Sequence, residues 1–134
     1  MGPSDNSPLL RQLGAALAAL PDIRLAYVFG SVAQGRDGFD SDLDIAVLAT
    51  RPLTASRKME LIDLLAPLAG RPVDLIDLAT AGEPLTGQIL LGRRIHGSDA
   101  EHATLMVRHV TDTEDFLPSL NRLLQERRHA WTTR

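Results

Sequence analysis

Asp42 and Asp44 flank a single leucine at the head of the apolar run Leu43-Asp-Ile-Ala-Val-Leu48. Side chains alternate across a strand, so residues two apart share a face, and both carboxylates point the same way. Two carboxylates placed like this form a hard-oxygen site suited to Mg²⁺, and without a cation they repel each other. Ten residues separate Asp42 from Gly30-Ser31, which end another run of strand-formers, Ile23 to Phe29, with Gly35 close behind. Glycine lets the backbone approach a phosphate, and free N–H groups and the Ser31 hydroxyl can donate to its oxygens. A third carboxylate, Asp74, lies in the apolar run Val73-Asp-Leu-Ile-Asp-Leu78, where a charge is costly unless it binds something. Three such groups serve two-metal phosphoryl transfer, in which one metal activates the attacking oxygen and the other holds a triphosphate. Asp74 also suits general-base work toward an acceptor hydroxyl. Asp77, three residues further on, points to the opposite face and is not assigned to the site.

These residues need strands to carry them and helices to cover the strands. Ser7-Pro8 reads as a helix N-cap with proline in the first turn, and Leu9, Leu10, Leu13, Leu17 and Leu20 recur at helical spacing, which predicts a helix over 8–20. A strand follows over 23–29, a polar loop over 32–41 and a second strand over 43–48. Thr54 opens a long helix with Met59, Ile62, Leu65 and Ala69 on one face, ended by Gly70-Arg71-Pro72. The third strand spans 73–78, on a strand next to the second or one beyond it. A short helix near 84–91 and an extended piece near 94–96 follow. From about residue 98 to the end the chain reads as helical in two pieces, one marked by Leu105, Met106, His109 and Val110, the other starting near Asp115. Strands interleaved with helices predict an α/β (α+β) fold with a small mixed β-sheet flanked by helices, in one domain over 1–134 whose residues 1–6 are flexible.

Composition narrows the function classes. The 134 residues carry 44% hydrophobic and 23% charged side chains, an ordinary globular balance. No apolar run approaches the roughly 20 residues of a membrane helix, and the start lacks the pattern of a signal peptide. With no cysteine there is neither a disulfide framework nor a thiolate metal site, and together these features point to the cytoplasm. A net charge of −3 argues against stable nucleic-acid binding as the main task.

Gly30-Ser31, ten residues, then Asp42-Leu43-Asp44 resembles the Gly-Ser/Asp-x-Asp signature of the DNA polymerase β-like nucleotidyltransferase superfamily. The small size, the run Arg71-Pro-Val-Asp-Leu-Ile-Asp-Leu78 and the tail at Asp115-Phe-Leu-Pro118 resemble its minimal (MNT) subgroup, the antitoxins of HEPN–MNT toxin–antitoxin pairs. That resemblance implies a polymerase β-like fold with C-terminal helices and transfer of AMP from ATP to a tyrosine of a HEPN-family ribonuclease toxin, with which the chain forms a hetero-oligomer. It implies that Asp42, Asp44 and Asp74 are the catalytic, metal-binding aspartates and that Gly30 and Ser31 bind the nucleotide. Two rivals stand beside this reading: an antitoxin that neutralises mainly by binding, and a small-molecule (aminoglycoside-type) nucleotidyltransferase, for whose acceptor domain 134 residues leave little room.

Other signals favour plainer roles. Arg36, Arg51, Arg57 and Lys58 read as solvated surface charges rather than triphosphate ligands. His102 and His109 are too far apart along a helix for a metal pair, and His96 and His129 have no partner in sequence. The stripe Phe116, Leu120, Leu123, Leu124 reads as core, with partner contact a second use, and Arg122, Arg127 and Arg128 as a solvated face.

Overall fold

The computed structural model describes residues 7–30 and 42–112. The expectations placed on residues 1–6, on Ser31, Gly35 and Arg36, on the second C-terminal helix and on His129 lie outside this range.

Eight elements follow one another: α1 (Pro8–Ala18), β1 (Ile23–Phe29), β2 (Leu43–Ala49), α2 (Ala55–Ala69), β3 (Val73–Asp77), α3 (Leu85–Leu90), β4 (Arg93–His96) and α4 (Asp99–Asp112). The sheet order is β3-β2-β1-β4. β1 is antiparallel to both β2 and β4, whereas β2 and β3 are parallel, which makes the sheet mixed.

Local chemistry sets the element ends. Pro8 opens α1, with Ser7 at the N-cap position, although the Ser7 side chain makes no capping bond. Thr54 caps α2 by accepting the Arg57 backbone N–H at 3.0 Å, and Gly70 closes it in the left-handed conformation at φ 67°. The α2 stripe differs from the expected one. Leu61 and Leu65 are its buried residues, and Met59 is 55% exposed. Met59 precedes Leu61 by two residues, about 200° of helix rotation, so it faces solvent when Leu61 faces the sheet.

Each sheet face has its own core. On one, Leu10, Leu13 and Leu17 of α1 and Leu61 and Leu65 of α2 pack on Val28, Leu43, Ile45, Val47 and Leu75. On the other, Ile89 of α3 and Leu105 of α4 pack on Leu25, Tyr27, Phe29 and Ala46. Strict alternation would put Ile23 and Leu25 on one face. A shift in the β1–β2 register between them resets the pattern, so Ile23 joins the first core and Leu25 the second. No helix among the described residues is long and apolar enough to cross a membrane.

Candidate active site

The two central strands bring the acidic residues to one end of the sheet. β2 begins at Leu43, so Asp42 stands just before the strand and Asp44 is its second residue. By alternation Asp44 shares the α3/α4 face with Ala46, while Leu43, Ile45 and Val47 fill the α1/α2 core. β3 is the direct neighbour of β2, and Asp74 is the register partner of Asp44. In-register residues of neighbouring strands project to the same side, so Asp44 and Asp74 face each other there.

Their electrostatics agree with that placement. Asp44 is half-buried, and its pKa is raised, first by burial, then by the negative charges of Asp74 and Asp42. Asp42 and Asp74 thus both lie near enough to act on Asp44 at this end of the sheet. Asp42 and Asp74 are exposed. For Asp74 this corrects the argument from burial: β3 is an edge strand, so its apolar neighbours do not bury it. What recommends Asp74 is its position opposite Asp44.

Gly30 ends β1 at the same place. Its φ of 77° lies in the left-handed region, and a Cβ added there would run into the Asp44 carboxylate oxygen Oδ2. The residue is therefore a glycine for two reasons: the turn out of β1 and the carboxylate that occupies the side-chain position. The second reason was not legible in the sequence, because it depends on the pairing of Phe29 with Asp44.

Among the described residues, no group of three or more His, Cys, Asp or Glu side chains is arranged as a ready-made metal cage. Mg²⁺ does not require one. It is usually held by one or two carboxylates together with substrate phosphates and water, and Asp42 and Asp44 supply hard oxygens of that kind. The donor set fits the cation by its chemistry: two carboxylates at the head of one strand, Asp42 exposed and Asp44 half-buried.

The remaining candidates fall elsewhere. Asp77 points away from Asp74, as alternation requires, and accepts the backbone N–H groups of Leu53 at 2.8 Å and Ala79 at 2.9 Å. It ties the segment before α2 to the end of β3. Arg51, Arg57 and Lys58 follow the far end of β2. On the usual rise per residue, about 20 Å of strand separates that end from Asp42, too far for triphosphate contact. Arg57 is more than a solvated charge. Its guanidinium donates to both Asp22 oxygens, at 3.0 and 2.7 Å, and this hydrogen bond lowers the Asp22 pKa.

Sequence reasoning also undervalued the histidines. His96 Nε2 lies 2.9 Å from the Ile23 carbonyl oxygen, His102 Nδ1 lies 2.5 Å from the Tyr27 hydroxyl, and His109 Nδ1 lies 2.7 Å from Glu83 Oε2. They form no joint site, but each fastens an element of the β4–α4 half. Tyr27 itself is 1% exposed, and burial pushes its pKa up to about 12.

Comparison with known proteins matches this geometry. The family model for polymerase beta nucleotidyltransferases matches residues 11–101. The protein adenylyltransferase MntA of Shewanella oneidensis is 34% identical over 93 residues, which cover 69% of this chain and 67% of that protein. A crystal structure of a toxin–antitoxin with AMP-PNP superposes with a TM-score of 0.66 at 29% identity, covering 96% of both chains. The complex of tri-AMPylated Shewanella oneidensis HEPN toxin with MNT antitoxin gives a TM-score of 0.61 at 27% identity, covering 93% of both chains. With the family match running from α1 to α4 through the paired aspartates of β2, this chain belongs to the polymerase β nucleotidyltransferase family.

Proposed function

We propose that this protein is a protein adenylyltransferase and the antitoxin of a toxin–antitoxin pair, moving AMP from ATP to a tyrosine hydroxyl of a HEPN-family ribonuclease toxin in the cytoplasm. The observation that carries the reading is the meeting of Asp42, Asp44 and Asp74 at the sheet end where Gly30 turns the chain out of β1. The relatives named above support the acceptor class, and the tri-AMPylated toxin supports addition of more than one AMP.

In this reading Gly30 and Ser31 hold the triphosphate by backbone N–H groups and a hydroxyl. Asp42 and Asp44 would hold Mg²⁺, which when bound would neutralise phosphate charge and polarise the α-phosphate. Asp74, exposed and facing Asp44, orients the tyrosine hydroxyl and takes its proton. The tyrosine oxygen bonds to the α-phosphorus as the bond to the bridging oxygen breaks, and pyrophosphate leaves with the electron pair. The half-buried position of Asp44 strengthens its interaction with any cation there.

Intact-mass spectrometry of the HEPN partner, incubated with this protein, ATP and Mg²⁺, tests the reading. Mass steps of one AMP unit are expected, and none with the Asp42→Asn/Asp44→Asn variant. Tight complex formation with no change of mass would leave an antitoxin that acts by binding alone.

A further inference from the structure

Leu91 is the most exposed large apolar side chain among the described residues, at 86%. A single exposed leucine is ordinary on a protein surface, and only its place in the fold sets this one apart. It stands between α3 and β4, directly after the last helical residue, Leu90. Its N–H donates to the Gln88 carbonyl oxygen at 3.2 Å, and the Gly92 N–H donates to that of Ile89 at 2.9 Å, which closes the helix end. Gly92 then lies against the end of β1, where a Cβ would run into the Val28 carbonyl oxygen and Phe29. Leu90 packs against the second core, whereas Leu91 is left to solvent on a firmly held turn.

That turn belongs to the site's end of the sheet. Arg94 pairs with Tyr27 and Arg93 with Val28, an antiparallel register that, continued by two residues, sets Leu91 beside Gly30. The approach of Gly92 to Phe29 already shows the first of those two steps. Gly30 in turn adjoins the Asp44 carboxylate, and Asp44 pairs with Asp74. From one edge to the other, this end of the sheet therefore presents Leu91, Gly30, Asp44 and Asp74, in the strand order β4-β1-β2-β3. α3 packs on the face that Asp44 shares, so its end brings Leu91 to the same side. Leu91 and Asp44 are two strand spacings apart, about 10 Å.

We propose that Leu91 is the contact for the purine base of the donor nucleotide. The assignment rests on the adenylyltransferase reading and deepens it by naming what grips the base. The order of groups along the sheet end decides between the two substrates. The acceptor hydroxyl belongs at Asp74, on the opposite edge, and the donor phosphates at Gly30, next to Leu91. The donor is thus the substrate within reach. Its purine is the one broad apolar surface it has, since phosphates and ribose hydroxyls gain nothing from a leucine. With the α-phosphate at Asp44, ribose and base span the two strand spacings to Leu91. An aliphatic side chain against the ring face contributes buried area without reading the base edge, so it holds adenine and guanine alike.

Calorimetric titration of the full chain in Mg²⁺ with AMP-PNP, and separately with inorganic tripolyphosphate, tests the assignment. Leu91→Ala should weaken AMP-PNP binding by about fivefold, the scale of a partly buried leucine side chain, and leave tripolyphosphate binding unchanged. Leu91→Met, which keeps the apolar area, should restore AMP-PNP affinity. Because Leu91 is exposed, both variants leave the core intact. In transfer assays Leu91→Ala should raise KM for ATP and spare both kcat and the acceptor KM. Unchanged AMP-PNP affinity in Leu91→Ala overturns the proposal, as does an equal loss for tripolyphosphate or a wild type that binds AMP-PNP no better than tripolyphosphate. A raised acceptor KM with nucleotide binding unchanged also overturns it and makes Leu91 part of the acceptor surface. If the wild type binds AMP-PNP but transfers nothing, the adenylyltransferase reading fails, and the titrations still decide the role of Leu91.

Discussion

The Asp44 carboxylate occupies the space that a Cβ on Gly30 would fill. A glycine at the end of one strand thus makes room for the acidic group at the head of the next. Alanine at position 30 would meet both the left-handed φ of 77° and the carboxylate. We expect Gly30→Ala to cost about 1–2 kcal/mol for the backbone conformation alone. Displacement of Asp44 should lower kcat/KM for transfer by more than tenfold, well beyond what the stability loss explains. Thermal melts and transfer rates at a temperature where the variant is fully folded separate the two effects.

Asp44 carries a cost in the metal-free protein. Its folded pKa is raised by burial and by Asp74 and Asp42, so folding favours its protonated form. The stability that goes with that form is complete below the ordinary carboxylate range and is lost as pH rises through the raised folded value. Asp44→Asn should therefore melt higher than wild type in chelator at pH 7, by about 2 °C, and this advantage should shrink toward pH 4. Added Mg²⁺ should raise the wild-type Tm and leave the variant unmoved. Transfer should fall by a hundredfold or more, on the order of the several kcal/mol that metal binding supplies. A Tm difference that ignores pH would refute the account of Asp44.

Asp77 illustrates a carboxylate with a structural task. Removing its side chain leaves the Leu53 and Ala79 N–H groups without their acceptor. Asp77→Ala should destabilise the fold by about 1–3 kcal/mol, with Asp77→Asn milder because one acceptor oxygen remains. Urea denaturation gives the loss, and the transfer rate per folded molecule should stay at the wild-type value.

Tyr27 offers a direct optical check. It is the sole tyrosine of the chain, so phenolate absorbance reports this one group. Buried and bonded to His102, it should ionise near pH 12 in the folded protein. The unfolded chain ionises near pH 10, so stability falls as pH rises from about 10 to 12. A phenolate transition near pH 10 with the protein still folded would contradict the burial described for Tyr27.

Much of the scaffold was legible because its signals are local. The runs 23–29 and 73–78, the Thr54 cap, the Gly70 stop and the parity that separates Asp74 from Asp77 all follow from neighbouring residues. The placement of Asp42 and Asp44 at a strand head follows from the same logic. What escaped depends on contacts far apart in sequence. The exposure of Asp74 is set by β3 lying at an edge, the burial of Leu61 instead of Met59 by how α2 rolls on the sheet, and the partners of Arg57 and the histidines by packing between distant segments.

The buried Tyr27 has one more consequence. An enzyme that modifies tyrosine hydroxyls while bearing an accessible tyrosine would spend ATP on itself. This chain has one tyrosine, sealed beneath α4 at 1% exposure, its hydroxyl engaged by His102 and its ionisation suppressed. On the adenylyltransferase reading it offers no tyrosine to its own site or to that of another copy, and any tyrosyl adenylate would form on a different protein.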